Sequence, residues 1–339
     1  MKLSVLDQSP VRSCGTARQA IQETVELAKT ADRLGFTRFW VSEHHNIAGL
    51  AGSTPEVLIS HLAGQTNRIR VGAGGVMLPN HSSLKVAENF RMLETLFPGR
   101  IDLGLGRASG SDRLTASILN PGAQFVRNDF EQQLLDLQCF LTDTAEPDSI
   151  QTKIRAIPAA ETVPELWVLT SSGESGLLAA HFGLALSFAH FINPLGGPSV
   201  VKSYKDRFRP SETLGYPQAS LGIFVLCAET EEKVDELKAV MDWQFLNSGK
   251  GINEGILSFK EVTRRFYTES EKAIIAQNRK RMVLGTPDKV KEKILKLSEE
   301  HEVDEVVVTT ITYDFGDRIR SYELLANVFE LRTEGIVKQ

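Results

Sequence analysis

The feature that most constrains the fold is a regular alternation of short apolar runs with longer amphipathic segments. Eight runs rich in Val, Ile, Leu and Phe lie at 3–6, 39–41, 69–71, 101–105, 166–169, 184–188, 221–226 and 306–309. Strands that are apolar on both faces and alternate with helices form a parallel sheet covered by helices. Eight such units favour an α/β fold closed as a (β/α)8 TIM barrel over an open doubly wound sheet.

Helix boundaries support this order of elements. Thr16 with Gln19 forms a capping-box pattern, and Gly35 is expected to end the first helix. Thr286 followed by Pro287 predicts another helix start, because proline has no N–H to leave unpaired there.

The length leaves room for insertions at the rim of one domain that spans 1–339. A typical barrel needs about 250 residues, so roughly 90 remain. We expect insertions at 107–128, 142–163 and 242–284. The third contains the glycine-rich run 247–255, which predicts a loop that is either a mobile lid or a plain surface loop.

Composition excludes several classes of protein. The 43 acidic and 38 basic residues are scattered, without the basic stripe that a nucleic-acid partner would require. The chain starts without the hydrophobic segment of a signal peptide, and no stretch is long enough to span a bilayer. The three cysteines fit no metal-binding spacing. We therefore expect a cytoplasmic protein with no metal site and no membrane partner.

Catalytic groups of such barrels lie where strands end, and the second strand ends in Glu43, His44, His45 and Asn46. Neighbouring strand side chains point to opposite sides, so at most one of the two histidines faces the mouth. A neutral histidine there would suit proton transfer near pH 7. A structural cluster of Glu and His that closes the rim is an equally good interpretation.

The third and fourth strands end in glycines and an arginine. Gly72, Gly74 and Gly75 indicate either a bulge or a close approach of the backbone to a flat ligand. Arg107 could bind a phosphate or carboxylate, or form a surface ion pair. The glycines around Gly106 do not have the spacing of a dinucleotide fingerprint.

The fifth strand leads through small hydroxylated residues into a predicted helix at 176–182. Ser172, Gly173 and Ser175 would offer free N–H groups and hydroxyls at the positive end of the helix dipole, which makes this the best anion site in the chain. Glu174 would then contribute its N–H and turn its carboxylate away. An ordinary cap by Ser172 or Ser175 is the alternative.

Taken together, these blocks resemble the bacterial luciferase-like flavin monooxygenases over essentially the whole chain. The resemblance is carried by Leu6-Asp7-Gln8-Ser9-Pro10, Glu43-His44-His45-Asn46, Arg70-Val71-Gly72 to Leu78-Pro79, Pro98-Gly99-Arg100-Ile101-Asp102-Leu103-Gly104 and Gly285-Thr286-Pro287. Several ordered blocks are more specific than any single motif.

The resemblance implies that reduced flavin mononucleotide (FMN) lies across the barrel mouth. It implies a non-proline cis peptide between Gly74 and Gly75, placed against the flavin ring, and His44 as the active-site histidine. The phosphate-binding residues that it implies are Arg107, Ser172, Gly173, Glu174 and Ser175, with Arg127 as a further contact.

The implied chemistry is a monooxygenase reaction in which reduced FMN and O2 form a peroxyflavin that oxidises a small organic substrate. Leu50, Val76 and Met77 are candidates for the pocket wall. A separate flavin reductase is the expected supplier, and a homodimer is expected through helices around 55–64 and 84–96. Gly106 occupies the position of the reactive cysteine of luciferases, so light emission and the aldehyde substrate are not implied.

Three alternatives remain at this point. The first is hydride transfer with the deazaflavin cofactor F420, and the second is a non-catalytic flavin-binding homologue. A nicotinamide dehydrogenase on an open sheet, which rests only on Gly104 and Gly106, is the poorest of the three.

Overall fold

Eight parallel strands close into a barrel around the main hydrophobic core. The computed structural model describes residues 1–122, 127–144, 149–252 and 255–332. Its strands are β1 Lys2–Asp7, β2 Arg38–Val41, β3 Arg70–Met77, β4 Ile101–Gly106, β5 Glu165–Thr170, β6 Ala185–Ala189, β7 Ala219–Cys227, β8 Met282–Gly285 and β9 Glu305–Thr309. The ladder runs from β1 to β7, then to β9 and back to β1. The predicted TIM barrel is confirmed, and each of its eight strands contains or overlaps a predicted apolar run.

Helices surround the barrel. They are α1 Ala17–Leu34, α2 Pro55–Gln65, α3 Ser83–Leu96, α4 Arg113–Leu119, α5 Arg127–Thr142, α6 Gly173–Phe182, α7 Gly197–Arg207, α8 Glu231–Gly249, α9 Phe259–Val262, α10 Glu269–Arg279, α11 Pro287–His301 and α12 Phe315–Val328. Thr16 and Gln19 form the predicted capping box of α1, and Gly35 ends that helix with a φ of 87°. Among the described helices, none is both long and apolar enough to cross a membrane.

Strand β8 is an addition that the apolar pattern did not predict. It pairs with Phe224–Cys227 of β7, whereas β9 pairs with Ser220–Phe224 of the same strand. The barrel therefore closes between β7 and β9, and β8 extends the sheet beyond it. Residues 242–284 run from the second half of α8 to the third residue of β8.

Two predicted loop boundaries are wrong. Helix α8 continues through Gly249, because Met241 and Leu246 are buried on its inner face, so residues 247–249 are helical rather than part of a loop. Residues 253–254 of the predicted loop lie outside the described part of the chain, as do 123–126 and 145–148 of the other two insertions. Helix α6 begins at Gly173, three residues before the predicted start.

The amino-terminal end of the barrel is closed by a buried ionic network. Asp102 accepts hydrogen bonds from Arg38 Nη1 at 3.0 Å, Trp40 Nε1 at 2.8 Å and Arg70 Nε at 2.7 Å. Arg38 also donates to Glu305 at 2.7 Å. Burial opposes the charge of Arg38, but the surrounding carboxylates raise its pKa above the ordinary value. Arg38, Arg70, Asp102 and Glu305 are each the first or second residue of their strands, so the network fixes the strand register opposite the functional end.

Candidate functional site

A cavity of about 680 Å³ opens at the carboxyl ends of the strands. This volume lies within the usual range for small-molecule sites. Residues that the sequence singled out at the ends of β2, β3, β4 and β5 line one common space, namely His44, Gly74, Arg107, Ser172 and Ser175. The structure therefore brings the four separate junctions together.

His44 faces this cavity. Its Nε2 lies 3.3 Å from the amide nitrogen of Gln8, and its backbone N–H donates to the Gly52 carbonyl at 2.9 Å. The amide N–H of Gln8 makes Nε2 the acceptor, which leaves the ring proton on Nδ1. Burial lowers the pKa of His44. The ring is therefore neutral at pH 7 and able to take up a proton.

Glu43 points the other way and organises a buried cluster. It accepts hydrogen bonds from His45 Nε2 at 2.8 Å, His81 Nε2 at 2.9 Å and the Met77 N–H at 2.8 Å. Burial opposes the charge of Glu43, but the hydrogen bonds from His81 and His45 hold its pKa below the ordinary value. Burial alone would lower the pKa of His81, yet the bond and charge of Glu43 raise it.

The structure places the two histidines in different surroundings. His44 lines the cavity, and His45 belongs to the structural cluster. His81 was missed by sequence reasoning because it follows a one-turn 3-10 helix after β3, where no spacing connects it with Glu43.

The glycines of β3 combine a bulge with close packing. The Gly74–Gly75 peptide is cis, which confirms that prediction, and the register with β4 shifts between Gly74 and Val76. A Cβ on Gly75 would lie 2.5 Å from the Gly104 carbonyl oxygen. Gly74 lines the cavity, so the backbone reaches its surface without a side chain.

The apolar wall differs in part from the expectation. Leu50 and Met77 line the cavity as predicted. Val76 does not, because the bulge turns it into the main core, where it is 3% exposed.

The amino terminus of α6 opens onto the cavity. Ser172 is the N-cap residue but makes no side-chain capping bond, so the alternative of an ordinary cap by Ser172 is not what the structure shows. The first N–H groups of a helix have no acceptor within it. Gly173, Glu174 and Ser175 supply these groups here, and Ser175 is buried on the cavity wall.

The expectation for the side chain of Glu174 is wrong. Its carboxylate is not turned away but forms an ion pair with Arg107 Nη1, because the guanidinium at the end of β4 lies within reach. Both side chains are about one-third exposed. Arg107 was given two interpretations, anion binding or an ion pair, and it makes the ion pair while it also lines the cavity. Arg127 begins α5, but its side chain lies outside the described residues.

The opposite wall was not found from the sequence. It comes from the β6–β7 side and the third insertion, through Phe191, Phe224, Gln244, Phe245, Ser248 and Arg281. The insertion was expected at the rim, but neither its path nor the residues it turns inward follow from its pattern.

Two proteins of Bacillus subtilis are similar to this chain over nearly its whole length. The uncharacterized protein YwcH of Bacillus subtilis is 50% identical over 97% of this chain and 99% of its own length. The N-acetyl-S-alkylcysteine monooxygenase of the same organism is 34% identical over 96% of this chain and 98% of its own.

Solved structures are also similar to this chain over nearly its whole length. Apo-MsnO8 superposes with a TM-score of 0.90 at 34% identity, covering 98% of this chain and 99% of its own. The oxygenating constituent of 3,6-diketocamphane monooxygenase from Pseudomonas putida, solved in complex with FMN, shares the fold, with a TM-score of 0.70, 21% identity and 96% of each chain covered. The model of the luciferase-like monooxygenase family matches residues 1–305. The chain belongs to the luciferase-like monooxygenase family.

Proposed function

We propose that the protein is a monooxygenase that uses reduced FMN and O2 to oxidise a small organic substrate. The observation that carries the proposal is the cavity itself, in which an open helix terminus, a bare glycine backbone and a neutral histidine face one space. The N-acetyl-S-alkylcysteine monooxygenase and the FMN complex of the diketocamphane enzyme support the choice of an oxygenase and of this flavin.

The residues present fit a flavin phosphate at the α6 terminus. The N–H groups of the first helical turn and the helix dipole attract an anion there. The hydroxyls of Ser172 and Ser175 add donors, and Arg107 uses one of its five N–H donors for Glu174. Backbone N–H groups of Gly173 and Glu174 complete the proposed phosphate site.

The cis peptide between Gly74 and Gly75 would lie against the flat ring system, since the bare backbone of Gly74 lines the cavity. Bound reduced FMN supplies the electrons for oxygen activation. His44 would take up a proton at Nε2 and return it, with Gln8 fixing the orientation of the ring. Leu50, Met77 and Ile311 exclude water from the centre of the cavity.

The proposal includes a homodimer and a separate reductase that supplies the flavin. Helices α2 and α3 expose Val57, Met92 and Leu96, which are 67%, 50% and 54% accessible. Exposed apolar side chains on adjacent helices are typical of a contact surface. We expect the mass measured in solution to be that of a dimer. A monomeric mass would rule out the proposed homodimer.

Anaerobic titration with reduced FMN, followed by admission of oxygen, tests the function. We expect saturable binding and oxygen consumption, and roughly tenfold weaker binding in Arg107→Ala and Ser175→Ala. Unchanged affinity in both variants would remove the phosphate site.

A parallel titration with reduced F420 separates the alternatives. Tight binding of F420 without oxygen consumption would favour hydride transfer. Flavin binding with no oxygen consumption under any condition would favour a non-catalytic homologue.

A further inference from the structure

A second arginine lines the cavity on the side away from Arg107. Arg281 directly precedes β8, which pairs with the carboxyl-terminal half of β7. Strand β7 lies three strands round the barrel from β4, where Arg107 is located. The cavity therefore has a cation on each side, and only one of them belongs to the proposed phosphate site.

The two arginines differ in their partners. Arg107 is paired with Glu174, whereas Arg281 donates from Nη2 to the Asn278 amide oxygen and makes no ion pair within the described residues. Its guanidinium carbon lies 5.5 Å from the ring centre of Phe245. Nε and Nη1 of Arg281 remain available as donors.

The electrostatic surroundings of Arg281 contrast with those of its neighbour Arg279. The hydrogen bond that Arg279 donates to Asp242 raises the pKa of Arg279. Burial lowers the pKa of Arg281, and no carboxylate offsets this effect. No Asp or Glu of the described residues lines the cavity. A partly buried cation without a counter-ion favours binding of an anion.

The turn that carries Arg281 is fixed before any ligand arrives. Arg279 forms a two-point ion pair with Asp242 of α8, with 3.0 Å between Nε and Oδ1. A binding group on such a pre-ordered turn loses little entropy on contact with its ligand.

We propose that Arg281 binds the carboxylate of an organic acid and so selects anionic substrates. The planar guanidinium fork matches the two oxygens of a carboxylate. Phe191, Phe224 and Phe245 line the same side and would pack against the apolar part of the molecule. This inference rests on the proposed function in one respect, namely that the bound acid is the molecule to be oxidised.

Calorimetric titration of the flavin-free full-length protein tests the site directly. The probes are 5-phenylpentanoate and its neutral primary amide. We expect the wild type to bind the acid more tightly than the amide. Arg281→Gln should weaken acid binding about 10- to 100-fold and leave amide binding unchanged. Arg281→Lys keeps the positive charge but loses the guanidinium fork, so its affinity for the acid should lie between those of the wild type and Arg281→Gln.

The chain offers a matched control. Arg265 stacks on Trp243 of α8 at 5.0 Å, as Arg281 stacks on Phe245, but it is exposed and does not line the cavity. Arg265→Gln should bind both probes as the wild type does. The proposal would be overturned if the wild type bound the acid and the amide with equal affinity, or bound neither. Unchanged binding of the acid by Arg281→Gln would also overturn it.

A reduced-FMN titration of Arg281→Gln separates this site from the flavin site. We expect wild-type affinity for the flavin. A loss as large as that in Arg107→Ala would assign Arg281 to the flavin phosphate and overturn the proposal. Failure of the wild type to bind reduced FMN would defeat the proposed function, while the acid and amide titrations would still be decisive for Arg281.

Discussion

Glu174 and Arg107 form an ion pair across the gap between the α6 terminus and the end of β4. The carboxylate thus occupies a donor of the guanidinium proposed to bind phosphate, and a bound phosphate would lie beside a negative charge. Replacement of this carboxylate is therefore expected to strengthen, not weaken, flavin binding.

We expect Glu174→Gln to bind reduced FMN roughly two- to fivefold more tightly, the range for a partly exposed charge pair. The backbone N–H of residue 174 is retained in this variant. Glu231→Gln is the matched control, because Glu231 also lies in the first turn of a helix and pairs with a cation, Lys289, away from the cavity. Weaker binding by Glu174→Gln in an anaerobic titration would show that the carboxylate supports the site.

His44→Gln is expected to lower turnover by about 10²-fold or more, the usual contribution of a positioned acid or base, without changing reduced-FMN affinity. Burial lowers the pKa of His44, so the neutral form is lost only as pH falls below the ordinary histidine value. The wild-type rate should decline on the acid side with a midpoint below 6.5, and the variant should lack that limb. His181→Gln, at an exposed position of α6, is the control. If His44→Gln showed the same decline of the rate at low pH as His181→Gln, His44 would not be the group that titrates.

Asp102→Asn is expected to lower the free energy of unfolding by about 3–5 kcal/mol, because it leaves Arg38 and Arg70 buried or half-buried beside a neutral amide. Asp206→Asn removes an exposed partner of Lys202 and should cost less than about 1 kcal/mol. Urea denaturation of both variants measures the difference. If both variants lost a similar free energy of unfolding, the buried network would contribute no more to stability than an exposed ion pair does.

Acidification is expected to destabilise the protein through His301. Its Nδ1 donates to the Leu297 carbonyl at 2.8 Å, and its buried Nε2 has no partner in the described structure. Burial lowers the pKa of His301, so the unfolded chain binds more protons below pH 6.5. The free energy of unfolding should fall as pH is lowered from 6.5, by up to about 1.4 kcal/mol per pH unit. In urea denaturations between pH 7.5 and 5.5, the free energy of unfolding of His301→Gln should decline less steeply than that of the wild type. An unchanged slope would mean that another group causes the pH dependence.

The barrel strands were predictable because burial on both faces leaves continuous apolar runs, as in β7 and β9. Strand β8 has only four residues, half of them partly exposed, so its run was too short to stand out. The start of α6 was misplaced because glycine disfavours helix interiors, although Gly173 at the first position incurs little of that penalty.

The site was predictable where it lies at strand ends and not where it depends on the insertion. His44, Gly74, Arg107 and the serines follow directly from the barrel rule. Arg281 carried no signal, since an arginine next to Lys280 in a charged stretch is typical of an exposed surface. Only the pairing of β8 with β7 brings it to the mouth.

The closure of the barrel between β7 and β9 makes the stretch from α8 to β8 a side branch of the topology. Exchange of this branch between relatives would leave all eight ladders of the ring, and the proposed flavin-binding edge, untouched. If the proposed function holds, new substrate preferences arise by replacing this one module while the proposed flavin-binding half is inherited intact.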